Sequence, residues 1–562
     1  MSLLDAAMVG DAEVSEGPPL DPFDIRRVQA APGLLRAFND AGVLVAADIH
    51  VALRLARLCA DDDPSVLLAA ALAVRAPRLG HVYADLATVA TTVTVDVDRP
   101  VDLTALPWPE PDGWLAQLAR SPMVATGDDA PLGRPLRLVG SWLYLDRYWA
   151  EERQVAGDLT ARAADPARDV DEQLLSAGLA RLFTGDTNDA DQRVAAACAV
   201  LRRLAVVAGG PGTGKTTTVA RILALLDEQA AATGQRPPLV ALAAPTGKAA
   251  ARLEEAVHAQ AAVLDIDPTA RARLLATSAS TLHRLLGSRP DSRSRFRHHR
   301  GNRLPYDVVV VDETSMVSLS LMSRLLEAVR TEARLVLVGD PQQLASVEAG
   351  AVLGDVVGPA ADADAPASAV GDTVVVLRQV HRYGGAIAQL AEAIRQGDAA
   401  QALEILAAGG DDLTWLPTDV ADPAAMADLA PVRKAAVTAG RSLMSAAQAG
   451  NARAALDALG TFRLLCAHRR GPHGVATWMT HVEHWLSAAV DGFTADGTWY
   501  VGRPLLVTEN DYGLKLYNGD TGVVVAAGPE RVTAVFERRN ELLRFSPTRL
   551  AAVETVHAMT IH

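Results

Sequence analysis

The sequence predicts an α/β protein built on a parallel sheet with a phosphate-binding loop. A second α/β domain with a small β-barrel set into it should follow, and a small helical domain should come first. Three observations predict this. Four short apolar runs each end in a loop bearing Gly, Pro or Asp: LAVVAG (204–209), PLVALAA (238–244), DVVVVDE (307–313) and ARLVLVGD (333–340), with helical stretches such as TTVARILALLDEQ between them. Continuous Val/Leu runs alternating with helices are the pattern of a parallel sheet covered on both faces. The first run opens into GGPGTGKT. From Trp499 to Arg549 short apolar segments recur between NGD and AGPE turns, as in a small barrel.

The remaining elements follow in order. Residues 1–20 are acidic and contain Pro and Gly, a composition that does not bury enough apolar surface to fold. Apolar residues recur at helical spacing from Val28 to Leu58 and from Ser65 to Val74, predicting a helical domain over 21–125. The turn-rich RSPMVATGDDAPLGRPLRL marks its end, and SWLYLDRYWAEE reads as a packed part of a connector over 126–185. The first α/β domain is expected over 186–370 and the second over 371–562, beginning with TVVVLRQV and carrying the inserted barrel at about 499–550.

At 562 residues the chain is too long for one core. It contains no run of about 18 apolar residues to span a bilayer and no signal-peptide pattern at its start, so a cytoplasmic protein is expected. The cysteines Cys59, Cys198 and Cys466 stand far apart without a CxxC, which points to small hydrophobes rather than disulfides or zinc ligands. A net charge of −14 argues against a nucleic-acid coat over the whole surface but leaves room for a local groove. The basic run RPDSRSRFRHHRGNR (289–303) is either a solvated loop or a surface facing phosphates or a partner. Only four lysines occur, at 215, 248, 434 and 515, so each stands where arginine was not used.

The chemistry concentrates in three loops. Gly209, Gly210, Pro211, Gly212, Thr213, Gly214, Lys215, Thr216 and Thr217 form a loop that follows a strand and opens a helix. Its glycines let backbone N–H groups face phosphate oxygens, Lys215 reaches the β- and γ-phosphates of ATP, and the Thr216 hydroxyl can hold Mg²⁺. The run DVVVVDE delivers Asp312 as a second Mg²⁺ ligand and Glu313 as the base that takes a proton from the attacking water. In VGDPQQL, Gln343 follows a strand and is placed to sense the γ-phosphate or to position the water. A chance turn, a helix cap and a polar turn are the plain alternatives for the three loops taken singly; together on one sheet edge they predict nucleotide hydrolysis.

The blocks APTGKAAARL, STLHRLLG, VVVVDETSM, LVGDPQQL, LLCAHRRGPHGV and GRPLLVTENDYGLKLYNGDTGVVV occur in the order of the motifs of the RecD family of superfamily 1B helicases, and over about 130–562 the chain resembles that family. The resemblance implies two RecA-like motor domains with an SH3-like insertion. It also implies a 5′-to-3′ DNA motor that works with RecB and RecC on single strands from double-strand ends, and an N-terminal domain that docks on a partner. It makes Gln192 an adenine reader and Arg382, preferred over Arg378, an arginine finger from the second domain. Thr246, Lys248, Thr281, His283, Arg469 and Asn518 would lie on the strand-binding face.

In that family the strand holding AMTIH continues into KSQGSE and, later, an arginine that completes the ATP site. The sequence VETVHAMTIH precedes both, so either a piece of a longer helicase or a shortened, weakly hydrolysing subunit is expected. Two other classes compete with the motor: a nucleotide-binding scaffold subunit and a stand-alone helicase. No lysine has an acidic residue two positions before it, so cutting of DNA is assigned to a partner.

Overall fold

The computed structural model describes residues 24–29, 31–95, 101–129, 133–184, 189–289, 292–344, 346, 348–361, 369–379, 385–418, 420, 427–469, 471, 473–493, 497–511, 513–528, 531–538 and 541–560. The chain divides into two compact units. The first holds residues up to Val155 with Ser318–Ser320 and Ser346–Ala351, and the second holds the rest. The acidic lead expected at 1–20 lies outside the described residues.

In the first unit, helices Leu34–Asp40, Ala46–Cys59, Pro64–Arg78 and Pro111–Arg120 enclose an alanine- and leucine-rich core. Asp63 caps the third of these, accepting from the N–H groups of Ser65 and Val66, while Pro64 occupies the first helical position, where no N–H is needed. Ala69, Ala70, Ala71 and Ala73 are buried, so small side chains let neighbouring elements approach this helix closely. Trp114 Nε1 donates to the Ser65 carbonyl at 2.9 Å and docks the fourth helix on the third.

This helical unit also contains a four-stranded sheet. Strands β1 (Tyr83–Asp85), β2 (Val124–Thr126), β3 (Leu136–Val139) and β4 (Trp142–Leu145) pair in the order β1-β4-β3-β2. The sheet crosses the break expected between 125 and 126, because the turn residues of RSPMVATGDDAPLGRPLRL connect two paired strands rather than two domains. Its centre is Arg137, with 0% of its side chain exposed. Nε donates to Asp146 at 2.7 Å, Nη1 donates to the Gly127 carbonyl at 2.8 Å, and the guanidinium lies 3.8 Å from the Trp149 ring centre. Trp149 belongs to the segment read as a packed connector, and this contact is its reason for packing.

The second unit is organised by a parallel sheet. Strands β5 (Leu204–Gly209), β6 (Val240–Ala244) and β7 (Ala279–Thr281) lead to a hairpin of β8 (Ser288–Arg289) and β9 (Ser292–Phe296), and then to β10 (Val308–Val311), β11 (Arg334–Gly339) and β12 (Val374–Leu377). Six of these form a sheet in the order β12-β5-β11-β10-β6-β7, every pairing parallel. All residues of β5, β10 and β11 are buried, as both-face coverage requires. The run TVVVLRQV, expected to open the second domain, contributes β12 to this sheet instead. Four apolar residues in a row suit any parallel sheet, and pairing with β5 decided which.

Beyond β12, helix Val475–Ala489 packs on a parallel pair of β13 (Leu464–Cys466) and β19 (Ala558–Thr560), and helices Ala430–Gln448 and Ala452–Gly460 pack on each other and on the antiparallel sheet inserted between those strands. Between those two strands lie β14 (Pro504–Val507), β15 (Thr521–Ala526), β16 (Val532–Arg538), β17 (Glu541–Phe545) and β18 (Val553–Thr555). They form an antiparallel sheet in the order β17-β16-β15-β14-β18, and among the described residues β17 and β18 do not pair, so the sheet is open at its edges. Trp485 is buried, and Trp478 and Trp499 pack against apolar clusters, in keeping with core roles. Cys466 is buried, Cys59 and Cys198 are half-buried, and all three are free thiols. Among the described residues no helix is long and apolar enough to cross a membrane.

Candidate nucleotide and strand site

The phosphate loop begins where β5 ends and closes where helix Lys215–Ala232 begins. Two glycines make this turn: Gly212 and Gly214 have φ of +80° and +84°, a region that residues with a Cβ avoid. Gly209 has a different reason. A Cβ there would lie 2.7 Å from Thr213 Oγ1 and 3.0 Å from Leu377 on β12. Lys215 Nζ donates to the carbonyls of Gly209 and Gly210 at 2.6 and 2.9 Å, which holds the ammonium across the loop. Thr213 Oγ1 donates to the Gly210 carbonyl at 2.9 Å. Pro211 is exposed, and Thr216 and Thr217 are half-buried in the first helical turn.

Asp312 follows β10, the strand two places from β5, and 9% of it is exposed. Burial and the neighbouring Glu313 charge push its carboxyl up to about 6, against the Glu313 N–H bond at 2.9 Å and the charge of Lys215. Glu313 is half-buried and has φ of +51°, left-handed backbone in a residue with a side chain, a conformation costing on the order of 1–2 kcal/mol. Strain of this kind at a strand end beside a phosphate loop turns the Glu313 side chain out of the direction that extended backbone would give it. Gln343 lies after β11 and is exposed. Its backbone N–H donates to the carbonyl of buried Asp340 at 3.2 Å.

Gln192 sits in the first turn of helix Ala190–Leu201 and reaches the loop directly. Nε2 donates to the Thr213 carbonyl at 3.1 Å, and Oε1 accepts from Arg221 Nη1 at 3.0 Å. Gln192, the loop, Lys215 and Asp312 are therefore brought together. Arg382 lies outside the described residues, and Arg378 is exposed with its N–H donated to Asp191 at 3.0 Å.

Of the residues expected on the strand face, Thr246 caps helix Gly247–Val263 by accepting from the Ala249 N–H, and Thr281 caps Leu282–Leu286 by accepting from the Arg284 N–H. Lys248 Nζ donates to the Gly519 carbonyl of the inserted sheet at 2.6 Å. Burial, then the charge of Arg252, lowers its pKa; Asp520 opposes this and Arg463 adds to it. Asn518 is exposed in the same turn, its N–H donated to Asn510 Oδ1 at 3.0 Å. His283 and Arg469 are exposed, with the His283 ring 5.8 Å from that of Phe296 on β9. The basic run 289–303 is thus partly a hairpin, and Arg300 in it pairs with Asp158 at 2.8 Å.

Four contributors were not singled out beforehand. Arg221 and Phe183 back Gln192, Asp340 shapes the Gln343 turn, and Tyr517 lies against Gly247. Gly247 within PTGK was the one available signal for Tyr517; the rest are ordinary residues made important by distant partners.

A phosphate loop on β5, a buried carboxylate on β10 and a glutamine from the preceding helix define a P-loop nucleotide hydrolase. The family model described as an AAA domain matches residues 192–349, the stretch that carries all three. A second, described as the N-terminal domain of RecBCD enzyme subunit RecD, matches residues 40–144. RecBCD enzyme subunit RecD of Mycolicibacterium smegmatis is 52% identical over 94% of this chain and 87% of its own length. Its counterpart in Mycobacterium tuberculosis H37Rv is 49% identical over 96% and 87%. The chain belongs to the RecD family of RecBCD enzyme subunits. Among solved structures, one of two coordinating Pif1 helicases at forked double-stranded DNA matches 64% of this chain and 78% of its own, at 16% identity and a TM-score of 0.32.

Proposed function

We propose that the chain is the ATP-driven DNA helicase subunit of a RecBCD-type complex, moving 5′-to-3′ on a single strand from a double-strand end. In this reading it assembles with RecB and RecC in the cytoplasm, and the cutting of DNA belongs to a partner. The observation that carries the reading is the phosphate loop of Gly209–Thr217, with Lys215 Nζ held on the Gly209 and Gly210 carbonyls and buried Asp312 at the end of β10 in the same parallel sheet. Its place within a RecD-family chain selects DNA over other loads.

The backbone N–H groups from Gly212 to Thr217 and the ammonium of Lys215 hold the nucleotide phosphates. The Thr216 hydroxyl and the Asp312 carboxylate are oxygen donors of the kind that Mg²⁺ takes, and a carboxylate buried beside a phosphate loop fits that ion. When bound, Mg²⁺ neutralises charge on the phosphates. Glu313 takes a proton from the attacking water, Gln343 senses the γ-phosphate, and Arg382 completes the site as an arginine finger from the following segment. Domain assignments go with this: the N-terminal unit, up to about residue 155, docks on a partner, the segment that follows connects it to the ATP-binding motor domain built on β5 to β12, and the chain after β12 is the second RecA-like domain with an SH3-like insertion near 499–550. The strand passes Thr246, Lys248, Thr281, His283, Arg469 and Asn518, gripped through its backbone rather than read.

Steady-state ATP hydrolysis with and without single-stranded DNA tests this. DNA-stimulated turnover is expected for the wild type, and Lys215→Gln is expected to lower it by at least 100-fold while sparing assembly with RecB and RecC. Unchanged hydrolysis in Lys215→Gln overturns the site.

A further inference from the structure

We propose that Arg221 sets the base specificity of the nucleotide site by fixing the direction in which the Gln192 amide faces. The proposal rests on the reading of this loop as an ATP site and adds to it a positioning residue. Gln192 is 5% exposed, and both ends of its amide are engaged: Oε1 accepts from Arg221 Nη1 at 3.0 Å and Nε2 donates to the Thr213 carbonyl at 3.1 Å. A guanidinium has no acceptor and a carbonyl has no donor. The two neighbours together therefore permit only one orientation, with oxygen toward Arg221 and nitrogen toward the phosphate loop.

Loop and amide are also in close contact. A Cβ on Gly214 would lie 2.4 Å from Gln192 Nε2, so the glycine needed for the turn is also needed for the amide.

In that orientation the amide keeps one N–H and one oxygen lone pair for a ligand. A donor beside an acceptor matches adenine, which presents N7 as acceptor and its exocyclic amine as donor. Guanine and hypoxanthine present O6 in place of the amine, and lone pair then meets lone pair. A site built around such a pair rejects the wrong base strongly because its buried groups are left unmatched.

Arg221 is itself held for this task. It lies 4.5 Å from the ring centre of buried Phe183, and its Nη1 is 3.6 Å from Asp189 Oδ2. Its Nε is buried without a hydrogen-bond partner, a cost that an arginine serving only as a surface charge would not carry. Arg221 stands on helix Lys215–Ala232, so the element that presents Lys215 to the phosphates also orients the base reader. Without Arg221 the oxygen of Gln192 is released, and the side chain can swing or turn on its remaining bond.

The test compares kcat/KM for ATP and for inosine triphosphate in the full chain with single-stranded DNA, for wild type, Arg221→Met and Arg221→Lys. The expected result is a preference for ATP of at least tenfold in the wild type. In Arg221→Met it falls at least fivefold, through KM rather than kcat, and in Arg221→Lys, which keeps a donor, it recovers in part. A ratio in Arg221→Met within twofold of wild type, with both nucleotides weakened alike, makes Arg221 a structural residue and overturns the proposal, as does a wild type without preference. The rise in Tm given by each nucleotide repeats the comparison without turnover. Wild-type hydrolysis insensitive to Lys215→Gln overturns the ATP-site reading instead, a result distinct from an unchanged base ratio.

Discussion

Lys248 Nζ donates to the carbonyl of Gly519 at 2.6 Å, joining the first turn of helix Gly247–Val263 to a turn of the inserted sheet 271 residues later in the chain. Next to it, Tyr517 packs so closely on Gly247 that a Cβ there would lie 2.4 Å from the ring. The inserted sheet is therefore seated on the segment that follows β6.

Gly247→Ala is expected to unseat that contact. Inserting a methyl group against a ring costs roughly 1–3 kcal/mol where neither side yields, and urea denaturation is expected to find the variant less stable by that amount. DNA stimulation of hydrolysis is expected to fall several-fold, because the same turn carries Asn518. Unaltered stability would mean that the sheet moves away from the helix freely.

Asp312 gives a pH prediction with a definite sign. Its folded pKa is raised from 3.8 to about 6, so its favourable contribution is complete below about 3.8 and is lost as pH rises through 6. About two units correspond to roughly 3 kcal/mol. Asp312→Asn is therefore expected to raise the stability of the nucleotide-free protein by about that much at pH 7 while abolishing hydrolysis. Denaturant titration at pH 4 and 7 checks it, and equal gains at both pH values would refute the assigned cause.

His557 acts in the opposite direction over nearly the same range. Burial lowers its pKa from 6.5 to about 4, and its ring Nε2 sits 3.0 Å from the Tyr500 hydroxyl. Its contribution is complete above 6.5 and is lost as pH falls through 4, again by roughly 3 kcal/mol. The two slopes oppose each other between about 4 and 6. The stability difference between His557→Gln and wild type should therefore shift in the variant's favour as pH falls across that window, whereas for Asp312→Asn it should shift in the variant's favour as pH rises. Parallel pH profiles for the two variants would show that at least one of these groups does not titrate as described.

The parallel sheet was legible because it rests on local signals. Four apolar runs, each followed by its loop, locate β5, β6, β10 and β11 without reference to any other part of the chain. The phosphate loop was legible for the same reason, since a glycine turn between strand and helix is specified within nine residues. Four strands, β12 and β2 to β4, were misplaced or missed because their signal is not local. The run TVVVL suits any parallel sheet, and β12 is identified only by its pairing with β5. Strands β2 to β4 hide in a turn-rich stretch whose meaning depends on β1, some forty residues earlier.

The sequence by itself determined where the loop and the acids stand: Lys215 and Thr216 open the helix after β5, and Asp312 and Glu313 follow β10. It also placed Gln192 ahead of the loop. Tertiary structure decided what those residues face. It set Arg221 and Phe183 behind Gln192, put Asp312 where burial raises its pKa, tied Lys248 to Gly519, and gave Arg137 its carboxylate and its tryptophan. The physical reason is range. Backbone conformation and apolar periodicity are set by neighbours within a few residues, whereas the partners of a buried charge or amide come from segments that meet only when the sheets and helices pack.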